Sequence, residues 1–111
     1  MVVDVYKIFS FDCFGVLSAS KHGLRIGSWI HIACGCYLFG GSGAIVLEDF
    51  CNLSSRVSLY TANDDYVEGY LTNPLVPDEL RHVTTGSVHL HQHAIVGCGS
   101  VLLPGVTLGL G

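Results

Sequence analysis

The chain has 111 residues, enough for one small domain. Half of them are hydrophobic, only 13% are charged, and the formal net charge is −4, with the few basic residues scattered. This composition excludes a disordered chain and offers no basic face for nucleic acid. No apolar run approaches the ~20 residues of a membrane span. The start lacks a basic, apolar leader, so a cytoplasmic location is expected.

Along the chain, an aliphatic or aromatic residue opens each short unit: Val5, Phe11, Leu17, Ile26, Ile32, Leu38, Leu47, Leu53, Leu59, Leu90, Val96, Leu102 and Leu108. Most neighbours are six apart; the exceptions are Leu17 to Ile26, Leu38 to Leu47 and Leu59 to Leu90, each falling after every third opener. One circuit is therefore three six-residue units plus an excursion at one fixed corner. Val5, Ile26 and Leu47 should stack, as should Phe11, Ile32 and Leu53, and Leu17, Leu38 and Leu59, with strands ~4.8 Å apart. The residue four places after an opener is usually small or aliphatic, as in Cys36, Cys51, Val57 and Ala94, which suits a crowded interior. Glycines at the corners suit positive-φ backbone. Such circuits bury their apolar residues only against one another. The expected architecture is all-β, a single parallel β-helix over residues 1–111.

The five cysteines are odd in number and lack metal-knuckle spacing, so they read as structural thiols, with Cys13, Cys34 and Cys98 in one corner column that Ser55 shares. His31, between two isoleucines, is outward-facing and could serve as a base. Residues of about 60–89 leave the circuit as one long loop with Pro74 and Pro77, and a loop of that length usually carries function. It gathers Asp64, Asp65, Glu68, Asp78, Glu79, Arg81 and His82. Like charges side by side should raise the pKa of Asp64 or Asp65 toward that of a base. His89, His91 and His93 alternate, but Leu90 opens a unit, so His91 and His93 fall on a corner and the three should diverge. No metal site is expected from them. The last circuit stops at Leu108-Gly109-Leu110-Gly111 without a polar finish, so a partner or further chain is expected to cover that end.

The segments IGSWIHIA (26–33), LEDFCNLSSRVSLYTANDDY (47–66), LTNPLVP (71–77) and IVGCGSVLLPGVTLG (95–109) resemble the hexapeptide-repeat acyltransferases, nearest those acting on sugars or nucleotide-linked sugars. The resemblance implies a left-handed coil and a homotrimer with active sites between neighbouring β-helices. It implies acetyl-CoA as donor along the C-terminal circuits, near Gly97, Ser100, Pro104 and Gly105. The acceptor, a sugar or nucleotide sugar, would lie near Asn52, Asp64, Asp65, Tyr66 and Asn73. Catalytic candidates are His31, Asp64, Asp65 and His82. Many relatives carry a histidine base just after the threonine-containing strand end, where this chain reads Thr61-Ala62-Asn63-Asp64-Asp65. An amine acceptor, which can shed its proton before attack, asks less of such a site than a hydroxyl. Two other readings stand beside this one: a catalytically silent trimer serving as a binding or structural module, and a zinc enzyme with its metal at the trimer interface.

Overall fold

In the computed structural model, residues 9–11, 16–19, 23–40, 43–65 and 67–111 are described, the first two stretches and Glu68 by backbone alone. The chain is all-β, with no α-helix among the described residues, and its framework is three four-stranded parallel sheets. The first contains β1 (Phe9–Phe11), β4 (Ile30–Ile32), β7 (Asn52–Leu53) and β12 (Ile95–Val96). The second contains β2 (Val16–Ala19), β5 (Tyr37–Gly40), β8 (Ser58–Tyr60) and β13 (Val101–Leu102). The third contains β3 (Leu24–Ile26), β6 (Ile45–Leu47), β11 (Val88–Leu90) and β14 (Thr107–Leu108). The chain visits the three sheets in fixed rotation.

The register is the one set by the openers. Ile26 pairs with Leu47, Leu47 with Leu90, and Leu90 with Leu108. Phe11, Ile32, Leu53 and Val96 form the second column, and Leu17, Leu38, Leu59 and Leu102 the third. Val5 lies outside the described residues. Ile32, Leu38, Leu53, Leu59 and Leu90 are wholly buried. Each such side chain contributes roughly 1.5–3 kcal/mol through burial, and strands this short have little else to hold them.

The small residues four places after an opener complete this interior. Cys36, Cys51 and Val57 are buried, and both thiols donate to backbone carbonyls of the next circuit, Cys36 to Ser54 at 3.1 Å and Cys51 to His91 at 3.0 Å. Burial pushes both thiols above their ordinary pKa, so they remain neutral and unreactive at physiological pH.

The corners depart from the expectation of glycine. The third residue after each opener adopts positive φ at seven corners: Trp29, Gly35, Phe50, Arg56, His93, Gly99 and Gly105. Four of these carry side chains, at a cost of roughly 1–2 kcal/mol per residue. Stacking offsets part of that cost, with the Phe50 and His93 rings 4.9 Å apart and nearly parallel.

The long excursion joins the second sheet to the third. It contains an antiparallel hairpin, β9 (Ala62–Asp64) with β10 (Val83–Thr85), and two 3-10 turns at Val67–Gly69 and Asp78–Leu80. Val88 and His89 are strand residues of the third sheet, so the excursion ends before them. At its base the Gly86 N–H donates to the Thr61 carbonyl at 3.0 Å. A Cβ on Gly86 would come within 2.7 Å of the Gly105 backbone nitrogen, so only glycine lets the loop root lie this close to the last circuit.

Candidate functional site

The hairpin register sets Val83 opposite Asp64 and Thr84 opposite Asn63. This brings residues seventeen positions apart into contact. The Arg81 guanidinium donates to Asp64 Oδ1 at 3.0 Å, and Nδ1 of His82 lies 3.0 Å from Asp65 Oδ2. An ionised carboxylate only accepts, so Nδ1 of His82 is the donor in this hydrogen bond. The Asp65 N–H donates to the His82 carbonyl at 2.7 Å, and Tyr70 packs its ring 5.3 Å from the imidazole. Asp65 Oδ1 accepts the Val67 N–H at 2.8 Å.

These contacts overturn the expected direction for Asp65. The Val67 N–H first, and then His82, hold the Asp65 carboxyl below the usual carboxylate range. Asp65 is therefore a fixed negative charge rather than a base. His82, the residue just before β10, is the histidine that the loop brings beside Asp65. Arg81, which sequence reasoning left out of the site, anchors the other aspartate. Its Nε is buried and has no hydrogen-bond partner among the described residues.

Between the hairpin and the corner after β13 lies a cleft of about 330 Å³, lined by Asn63, Asp64, Asp65, Thr84, Leu103 and Pro104. It joins the predicted acidic pair to Pro104 of the predicted CoA-lining set. Gly105 follows Pro104 at the same corner, its N–H donating to the Ser87 carbonyl at 3.0 Å. Gly97 and Ser100 sit one corner earlier in the circuit, joined by a Ser100 N–H to Gly97 carbonyl bond of 3.2 Å.

Other candidates lie elsewhere. His31 is on the outward side of the first sheet, with Nδ1 2.9 Å from Asn52 Oδ1 one circuit on. Neither lines the hairpin cleft, and the His82 ring stands beside it only through its contact with Asp65. Asn73 caps its own turn, its Oδ1 accepting the Leu75 N–H at 2.9 Å. Tyr66 lies outside the described residues. His89 and His91 do not diverge: their rings stack 4.3 Å apart and both face Glu48. The expected fan of three fails because His91 turns back along the strand it follows, and only His93 departs, onto Phe50.

No protein-family model matches the chain. It is 42% identical over 97 residues to the dTDP-4-amino-4,6-dideoxy-D-glucose acyltransferase of Escherichia coli, a match spanning 87% of this chain and 50% of that enzyme. Its fold superposes on AntD, an N-acyltransferase from Bacillus cereus. The aspartate-to-asparagine variant of AntD, in complex with dTDP and coenzyme A, gives a TM-score of 0.84 at 37% identity, over 93% of this chain and 54% of AntD. AntD in complex with dTDP and 3-hydroxybutyryl-CoA gives 0.73 at 36% identity, over 96% and 51%. The chain spans about half the length of the relatives it matches. Over the half of their length that it spans, the chain is similar in sequence and in fold to these nucleotide-sugar acyltransferases.

Proposed function

We propose that this chain takes part in CoA-dependent acyl transfer to the amine of a nucleotide-linked amino sugar. The observation that carries the reading is the cleft in which Asp64 and Asp65 meet Pro104, beside the His82–Asp65 pair. Relatives that act on, or are crystallised with, dTDP-linked amino sugars and CoA support the amine over the hydroxyl. The acyl group extends beyond acetyl, since AntD is crystallised with 3-hydroxybutyryl-CoA.

In this reading the amine nitrogen attacks the thioester carbonyl carbon. The new C–N bond forms, the carbonyl electrons move to oxygen, and their return breaks the C–S bond to release CoA thiolate. The nitrogen must lose a proton along the way. His82 Nε2 accepts it and passes it to the departing sulfur, while the Asp65 charge stabilises the imidazolium. Asp64 and Asn63 line the cleft and orient the acceptor, with Arg81 fixing the Asp64 carboxylate.

The scaffold we propose is a left-handed parallel β-helix over the single domain 1–111. The hand rests on kinship, because the strand register is the same for either hand. A cytoplasmic location is supported by the free thiols Cys34, Cys36, Cys51 and Cys98, which suit a reducing compartment. A homotrimer accounts for the two separated sets of candidates. The His31–Asn52 face of one copy would then close on the hairpin cleft of its neighbour, and the exposed Ile95 and Val101 would gain cover.

The binding half of this proposal is tested by thermal denaturation of the whole chain with CoA and with dTDP. A ligand held only by the folded state at 100 times its Kd stabilises by about 2.7 kcal/mol. The expected result is a midpoint raised by several degrees with each ligand; no shift with either at millimolar concentration contradicts it.

A further inference from the structure

A second group of ligating side chains, none of which lines the hairpin cleft, converges where the third sheet turns toward the first. In the position directly after the third-sheet opener, successive circuits carry Gly27, Glu48, His91 and Gly109. Only the two middle circuits bear side chains that can bind a cation. His89, in the outward position of β11, completes the group.

Nε2 of His89 and Nδ1 of His91 both face Oε2 of Glu48, the second at 2.8 Å. The three ligand atoms all lie within 4.8 Å of one another. The backbone holds each residue in place: Glu48 N–H to the Leu90 carbonyl at 2.9 Å, His89 N–H to Val106 at 3.1 Å, and His91 N–H to Leu108 at 3.0 Å. All three side chains are partly exposed, open to an arriving ion. Glu48 also lines a cleft of about 380 Å³, whose other walls include Arg25, Gly27, Asp49 and Gln92.

We propose that Glu48, His89 and His91 bind one divalent transition-metal ion of the zinc class, within a single subunit. Two imidazoles and one carboxylate are a donor set that suits zinc, with metal–ligand distances of about 2.0–2.2 Å. Ligand atoms on a tetrahedral ion then stand roughly 3.3 Å apart. The present cluster reaches that spacing by a small rocking of the rings, with the strands unmoved. As hydrogen bonds alone, the group directs two imidazoles at one carboxylate oxygen where water could serve each of them. A cation uses all three. Three protein ligands leave a fourth position, and Glu48 sets it on the cleft beside Arg25, where water or a small anion can enter.

The test is titration of the chelator-treated, full 111-residue chain with Co²⁺ and with Zn²⁺. The expected result is one equivalent of Co²⁺ with the visible bands of a four- or five-coordinate nitrogen–oxygen site, displaced by Zn²⁺. Zn²⁺ should raise the thermal midpoint and a chelator should reverse it. Glu48→Gln and His91→Gln should each weaken binding by more than about tenfold, with His93→Gln unchanged. Three results overturn the proposal: no saturable binding by the wild-type chain, a thiolate-to-cobalt charge-transfer band, or undiminished binding in both His89→Gln and His91→Gln. The wild-type titration reads the site directly, so a poorly folding variant does not obscure it. It is also independent of acyl transfer.

Discussion

Leu59→Ala is expected to destabilise the protein by about 2–5 kcal/mol. Leu59 is wholly buried in β8, stacked in register between Leu38 below and Leu102 above. Removing its branched end leaves a void between circuits whose backbones are fixed by ladder hydrogen bonds, so the walls cannot collapse inward. The loss is a large share of the 5–15 kcal/mol that holds a typical domain. Denaturant unfolding checks it, through a lowered midpoint at unchanged slope. Ile95→Ala is the control: Ile95 is 71% exposed in one subunit, and its removal should change monomer stability by no more than about 0.5 kcal/mol. A Leu59→Ala cost below about 1 kcal/mol would mean the stacked columns do not carry the fold.

The second large effect concerns the reaction. His82→Ala is expected to lower the rate of acyl transfer by about 10²–10⁴-fold, the usual contribution of a positioned general base. Asp65→Asn should reproduce much of that loss, because an amide can present its N–H to Nδ1 and favour the wrong tautomer. Both variants should leave the denaturation midpoint near wild type, since these side chains are exposed or only partly buried. Raising the pH should recover part of the His82→Ala rate, as the free amine then forms without the enzyme's help. A His82→Ala rate equal to wild type at neutral pH would remove the imidazole from the mechanism.

The framework was legible because its signal is periodic. Every described opener lies in the column that its spacing assigned, from Ile26 under Leu47 to Leu59 under Leu102. The site was legible only in part. Asp64 and Asp65 stood out as a pair, but their partners Arg81 and His82 lie seventeen residues on, across a turn region whose two strands have three residues each. No periodicity marks such a hairpin. The direction of the Asp65 shift is hidden for the same reason, since it is set by the Val67 N–H and by His82, which the pair's own sequence does not reveal. At the corners, the four side chains with positive φ show packing overriding local preference. Spacing puts His91 on a diverging corner, whereas its ring stacks on that of His89, a matter of side-chain direction that spacing does not encode.

Acyl transfer to a nucleotide-linked amine is read most plainly from its products. The purified chain is incubated with an acyl-CoA and dTDP-4-amino-4,6-dideoxyglucose, and the nucleotide product is weighed by mass spectrometry while free CoA is counted. The expected result is an amide-linked product formed one for one with CoA. CoA release without acylated nucleotide, or neither product from a folded chain that binds both ligands, would contradict it.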